Sequence, residues 1–150
     1  MSLHRLGMCV LFLATMGGRR APEPRVVMVV NSANATTSMS REQVAKIFLR
    51  QLAAWASGDE ILPVDQMERA PARAAFARDV EQTSVKSLKI YWQQRIFSGE
   101  ESPPPERVSD SDVLIYVRSN VGAIGYVLEG TDLGIGVKTL TVTASVSRLQ

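Results

Sequence analysis

Residues 25–54, RVVMVVNSANATTSMSREQVAKIFLRQLAA, decide the fold, because they combine a strand signal with a well-marked helix. The run VVMVV lacks polar alternation, which is typical of a strand buried on both faces, as in a parallel sheet covered by helices. Ser40 and Gln43 then form a Ser-x-x-Gln capping box, with Met39 and Val44 spaced as its hydrophobic staple. We predict a strand over residues 25–31, a polar loop, and a helix over about 41–54, with a break near Arg50 as the alternative.

The rest of the chain continues this alternation of strands and helices. A short strand is predicted over residues 60–65, where proline favours an edge or a strand end, and two helical stretches follow. Residues 98–107 contain three consecutive prolines and are predicted to be a loop. A short helix after Ser109 and strands over 122–128 and 137–143 complete the order. This order indicates a three-layer α/β domain, with a mostly parallel sheet and helices on both faces.

The first residues have the organisation of a secretory signal peptide. A polar head precedes the eleven-residue apolar run of residues 6–16, LGMCVLFLATM, and two glycines follow it. A run of this length is too short to cross a bilayer of roughly 30 Å as a helix, but it suits a signal-peptide core. We expect residues 1–21 to be this signal, with a cleavage site that the sequence does not fix, and residues 22–150 to form one periplasmic domain. A retained N-terminal membrane anchor is the alternative.

Charge and residue usage exclude several classes of function. The leader holds three of the 17 Lys and Arg and none of the 15 Asp and Glu, so 14 basic and 15 acidic residues remain. This balance offers no basic face for nucleic acid. Cys9 and His4 are the only cysteine and histidine, and their place in the leader excludes thiol, Ser-His-Asp and His- or Cys-based zinc chemistry in the domain. Since Asp65, Glu68 and Glu81 form no fixed catalytic pair, we predict a protein that is not an enzyme and holds no cofactor or metal.

Three segments of the chain match one known pattern, in order: residues 40–55, residues 61–76 and residues 119–127, SNVGAIGYV. They resemble the phosphate ABC transporter substrate-binding proteins. Residues 40–55, SREQVAKIFLRQLAAW, are similar to the family's segment of a helix, Ile-Phe-Leu-Gly and Trp. Residues 61–76 occupy the place of its anion-binding turn, and residues 119–127, SNVGAIGYV, resemble its Pro-Gly-Ala-Ile-Gly-Tyr-Val strand. The resemblance covers roughly residues 26–143. It implies one lobe of a type II periplasmic-binding-protein-like fold, which has two lobes that close over a ligand.

The resemblance also implies a binding site, from which this chain departs. The family's turn, Arg-Ser-Asp-Gly-Ser-Gly-Thr, offers a guanidinium, hydroxyls and backbone N–H groups at a helix start. Residues 66–72 here are QMERAPA, so glutamine stands at the arginine position and alanines at the later hydroxyl positions. Two arginines near the start of the next helix and the polar loop after the first strand would compensate. The candidate ligand-binding residues are therefore Asn31, Thr37, Ser38, Gln66, Arg69 and Arg73.

Each of these features also has a purely structural interpretation. Paired arginines on a short helix are typical of a solvated face, and a Ser-, Thr- and Asn-rich loop is typical of turn and capping chemistry. The first hypothesis of function is an exported solute-binding module for a small oxyanion such as phosphate, with a membrane transporter or envelope protein as partner. Because one lobe is a half-site open to water, we expect weak binding or a second half from another chain. The alternative is a degenerate lobe that serves as a protein-interaction or sensory accessory module.

Overall fold

The structure is a computed structural model, and it describes residue 18 and residues 20–144. The signal-peptide prediction, with Cys9 and His4, therefore lies almost wholly outside the described residues and stays a prediction. Within the part of the chain that is described, no helix is both long enough and apolar enough to cross a membrane.

Within residues 20–144, seven strands form one large sheet and one small ribbon. Their bounds are β1 Val26–Asn31, β2 Ser38–Ser40, β3 Leu62–Pro63, β4 Asp65–Gln66, β5 Glu106–Arg107, β6 Ala123–Leu128 and β7 Val137–Thr143. The large sheet has the order β2–β7–β1–β6–β3, and β4 pairs with β5 in the ribbon. β2 is parallel to β7 and β3 to β6, whereas β1 is antiparallel to both of its neighbours. Four of the five strands in the sheet thus share one direction, and β1 runs against them.

The predicted α/β class and the mostly parallel sheet are confirmed, but the direction of β1 differs from the expectation. Met28 and Val30 belong to the core on one face of the sheet and Val29 to the core on the other, so β1 is buried on both faces as predicted. The sequence cannot reveal the direction of such a strand, because burial on both faces produces the same apolar run in either direction. Pairing is set by strands that lie about 100 residues later in the chain.

Helices cover both faces of the sheet. Their bounds are α1 Arg41–Phe48, α2 Pro71–Phe76, α3 Val85–Phe97 and α4 Asp110–Ser119, and a π-helical turn, Ala77–Glu81, continues α2. α1 and α2 pack on one face, around the aromatic rings of Phe48, Phe76 and Tyr126. α4 packs on the other face through Val113 and Val117.

α1 begins as predicted and ends earlier. The N–H of Gln43 donates to Ser40 Oγ at 3.1 Å, and Gln43 Oε1 accepts from the N–H of Ser40 at 2.9 Å, which is the predicted capping box. The helix ends at Phe48 instead of near residue 54, because Arg50 has a φ of 60°. That left-handed conformation stops the helical hydrogen-bond pattern and turns the chain away.

Two further expectations change in detail. The strand predicted over residues 60–65 is divided into β3 and β4, and the predicted loop over 98–107 contains β5. Both differences have one cause, because each strand of the ribbon is only two residues long and is defined by a partner about 40 residues away.

Gly125 in β6 is closely packed: a Cβ built there would lie 2.6 Å from Val113 Cγ1 and 2.9 Å from Val64 Cγ1.

Candidate functional site

Two of the hollows that the described residues form have candidate ligand-binding residues in their walls, and they lie at different ends of the sheet. The first, the loop hollow, has a volume of about 660 Å³ and lies where β1 ends and β2, β3 and β6 begin. It is lined by the loop of residues 33–38, by the turn around residues 55–60 and by Val121 and Gly122. The Trp55 indole N–H donates to the carbonyl of Gly122 at 3.0 Å and fixes the wall between the turn and β6.

Thr37 and Ser38 line the loop hollow, and both are exposed. The charged groups in this lining are Asp59 and Glu60, both acidic. An anion there would meet hydroxyls and backbone groups but also two carboxylates. The loop hollow therefore brings together two of the six candidate residues without the cation that oxyanion binding favours.

The second hollow, the α3 groove, lies beyond the carboxyl end of β3, between the β4–β5 ribbon and α3. Its volume is about 270 Å³. The charged residues of its lining are Asp65, Glu68, Arg73, Lys89 and Glu106, and the residues from α3 are largely apolar apart from Lys89 and Gln93. The segment of residues 66–72 connects β4 to α2 and contributes Glu68 to the lining of this groove.

Arg73 is the centre of a buried ionic cluster at the floor of the α3 groove. Its Nη1 donates to Glu81 Oε2 at 2.9 Å, and its Nε lies 3.3 Å from Asp65 Oδ1. Each of the three side chains is less than a tenth exposed. The Tyr126 hydroxyl donates to the same Asp65 oxygen, and the ring of Tyr126 stacks on Phe76 with centroids 4.0 Å apart. The cluster is fixed by packing as well as by charge.

Burial dominates the proton equilibria of this cluster. It raises the pKa of Asp65 and of Glu81 above their usual values, and the positive charge of Arg73 offsets only part of the effect. For Arg73 burial acts in the opposite direction, but Asp65 and Glu81 outweigh it and raise its pKa. Burial and then repulsion from Asp65 raise the pKa of Glu106. The guanidinium of Arg73 thus contacts two carboxylates, Asp65 and Glu81, and its single positive charge can neutralise only one of them.

Asn31 and Gln66 hold the backbone together and do not face a common hollow. Asn31 Nδ2 donates to the carbonyls of Val117 and Arg118, both at 3.0 Å, and its Oδ1 accepts from the N–H of Ala33. Gln66 Nε2 donates at 2.8 Å to Asp110 Oδ1 and to the carbonyl of Tyr126. Both side chains are buried, so their amide groups are used within the fold.

The two candidate arginines are separated by their environments. Arg69 is exposed in the turn before α2 and is not part of the groove lining, whereas Arg73 is 5% exposed. They therefore do not converge on one anion as the sequence predicted. From the sequence, Asp65 and Glu81 are carboxylates without a fixed partner, and their pairing with Arg73 is not predicted. Their equal spacing, eight residues before and after Arg73, is a signal that could have paired them with it.

The comparisons with known proteins agree on the fold. No family model and no curated protein matches the sequence. An ABC-type phosphate transport receptor from Vibrio cholerae is similar in structure, with a TM-score of 0.62 and 21% identity, over 79% of this chain and 46% of that chain. A phosphate ABC transporter substrate-binding protein with bound phosphate from Clostridium perfringens has a TM-score of 0.59 and 16% identity, over 79% and 45%. A possible phosphate binding protein from Planctomyces limnophilus has a TM-score of 0.61 and 14% identity, over 81% and 42%.

This chain spans less than half the length of the structures it matches. The resemblance seen in the sequence is thereby confirmed as a likeness of fold: the chain has the fold of one lobe of these binding proteins.

Proposed function

We propose that this chain is an exported solute-binding lobe, which closes over a small charged ligand together with a second lobe. The observation that supports it is the match to one lobe of three substrate-binding or phosphate-binding proteins, over about four fifths of this chain. A lobe of that fold presents its ligand groups on one side. A second surface is therefore needed to exclude water and strengthen the contacts.

The ligand class that the likeness favours is a small oxyanion such as phosphate. The groups available to it are the exposed guanidinium of Arg69 and the hydroxyls of Thr37 and Ser38, at two separate places. Arg73 is already paired with two carboxylates, and Gln66 with a carboxylate and a carbonyl. Since the remaining donors are few and open to water, we propose that the isolated lobe binds phosphate weakly.

Titration of the purified domain with phosphate and with sulfate tests this proposal. Binding would raise the melting temperature by linkage, and a half-site of this kind calls for ligand up to about 10 mM. Arg69→Ala is expected to reduce the phosphate response, whereas Lys86→Ala, which removes an exposed charge from α3, should leave it unchanged. No shift for either anion, with the circular dichroism spectrum intact, would remove the oxyanion from the proposal.

Periplasmic location and a transporter partner are also part of the proposal. They are supported by the apolar run of residues 6–16 and by the transport proteins among the matching structures. Fractionation of cells that express the full chain with a C-terminal tag tests the location. We expect the tag in the periplasmic fraction, on a chain whose mass shows that the leader has been removed. The same chain in the cytosolic fraction at full mass would contradict export.

A protein-interaction module is the second candidate, and one observation favours it. Several large apolar side chains are exposed, among them Ile96 and Phe97 at the end of α3, with Phe97 95% exposed, and Ile135. A partner that covers the end of α3 would bury this apolar area. Cross-linking in cells distinguishes the two candidates. If the purified domain binds no titrated solute and Phe97→Ser abolishes a specific cross-link, the interaction module is supported over solute binding.

A further inference from the structure

The lining of the α3 groove has more negative than positive charge. Asp65, Glu68 and Glu106 line it together with Arg73 and Lys89, and Arg73 is also bound by Glu81, which is not part of the lining. Lys89 Nζ lies 3.7 Å from Glu68 Oε2, and both side chains are largely exposed. Arg73 is therefore shared by Asp65 and Glu81, Lys89 is engaged by Glu68, and Glu106 forms no ion pair within the described residues.

Asp65 and Glu106 are also placed opposite each other. They are register partners across β4 and β5, which brings their side chains to the same face of the ribbon. Like charges in that arrangement repel and destabilise a sheet. A positive charge bound between two neighbouring carboxylates reduces the repulsion between them.

One oxygen of Asp65 is left open to a ligand. Oδ1 accepts from the hydroxyl of Tyr126 and from the N–H of Gln66, and it lies within ion-pair distance of Arg73. Oδ2 accepts no hydrogen bond from residues 20–144, although Asp65 is only 6% exposed. It is not among the polar atoms of the described residues that are sealed from solvent without a partner. Oδ2 is thus not fully sealed from solvent, and Asp65 is one of the residues that line the groove.

The opposite wall of the groove suits an apolar group. It is formed by α3 and the proline loop, with the side chains of Val85, Leu88, Trp92, Ile96 and Pro103. Leu88 and Trp92 are buried, and Trp92 is held edge-on by Tyr91 with ring centroids 5.0 Å apart. An indole beside carboxylates attracts organic cations through both its apolar surface and its π-face.

We propose that the α3 groove binds a small organic cation, a primary ammonium group carried on an apolar body. The ammonium group lies between Asp65 Oδ2 and the carboxylate of Glu106, and the apolar body lies on Leu88 and Trp92. The described residues contain no group of three acidic, histidine or cysteine side chains able to hold a metal ion, which favours an ammonium over a metal. This inference rests on the proposed function, solute binding by the lobe, and assigns to this groove a ligand of opposite charge to phosphate.

Calorimetric titration with 2-phenylethylammonium tests the inference, with three matched probes. 2-Phenylethanol has the same apolar body without the charge, 3-phenylpropanoate has the opposite charge, and ammonium chloride has the charge without the body. We expect heat and a rise in melting temperature with 2-phenylethylammonium alone. Equal responses to 2-phenylethylammonium and 3-phenylpropanoate would overturn the charge assignment, and an equal response to 2-phenylethanol would show that the carboxylates are not used.

The Glu106→Gln variant tests whether 2-phenylethylammonium binds in this groove. Glu106 lies at the rim and is exposed, so the variant is expected to fold and to bind 2-phenylethylammonium about three- to fivefold more weakly. Glu101→Gln, an exposed acid of the same loop that does not line the groove, is the matched control and should bind as the wild type does. Equal affinity for wild type and Glu106→Gln would overturn the site.

The titrations separate this inference from the proposed function. A response to phosphate without one to 2-phenylethylammonium would overturn the cation site and leave the solute-binding lobe standing. A response to 2-phenylethylammonium alone supports both the lobe and the cation site and removes only the oxyanion. No response to either, by a folded domain, would contradict both.

Discussion

Burial gives Arg73 a structural role that its position in the sequence does not show. In the sequence it is a basic side chain near the start of a helix, at the place of an anion-binding turn. In the structure it joins Asp65 and Glu81 under the α3 groove. We predict that Arg73→Ala lowers the free energy of unfolding by about 3–5 kcal/mol, because it leaves two buried carboxylates without a counter-charge. Urea unfolding at about pH 7.5 measures this change.

Arg69→Ala is the matched control for that experiment, since Arg69 is exposed. Its effect on the free energy of unfolding should stay within about 0.5 kcal/mol. A loss of less than about 1 kcal/mol in Arg73→Ala would show that the ionic cluster does not stabilise the fold. From its position in the sequence, Arg73 is a candidate ligand-binding residue, with a solvated helix face as the alternative, and neither interpretation predicts its burial. The reason is physical: its burial depends on Tyr126 and on the packing of Phe76, and residue types alone do not show that packing.

At the scale of elements, those specified by neighbouring residues were predicted best. The capping box of α1 needs only Ser40 and Gln43, and it forms as expected. The β4–β5 ribbon needs two segments about 40 residues apart, and it was missed. We predict that Ser40→Ala lowers the free energy of unfolding by about 1 kcal/mol, because the N–H of Gln43 loses its acceptor.

Ser111→Ala is the control for the helix cap. Ser111 is exposed in the first turn of α4, and its side chain makes no hydrogen bond within the described residues. Its replacement should change the free energy of unfolding by no more than about 0.5 kcal/mol. Equal losses in the two serine variants, measured by urea unfolding, would mean that the cap of α1 contributes nothing specific.

At the scale of the whole molecule, the sequence predicts the order of strands and helices. The balance of buried charges, in contrast, is visible only in the assembled fold. Asp65 and Glu81 face Arg73 and Tyr126, and Glu106 adds a third carboxylate nearby. All three carboxyl groups have a raised pKa in the folded protein, so the folded state binds more protons than the unfolded state just above the ordinary carboxyl values of about 4. Stability should therefore fall as the pH rises from about 4 through the folded pKa values, and level off above them.

Two exposed pairs act in the opposite direction. Lys46 lowers the pKa of Glu42 and Arg78 lowers that of Asp79, so these pairs add stability above the ordinary carboxyl values, but exposed pairs contribute little. We expect the buried cluster to decide the sign, and urea unfolding across about pH 5–8 at constant ionic strength measures it. Glu81→Gln should flatten the pH dependence, because it leaves one carboxylate for one guanidinium and keeps an oxygen that accepts from Arg73. If stability rises with pH, or if Glu81→Gln leaves the slope unchanged, the buried carboxylates do not set the pH dependence of stability.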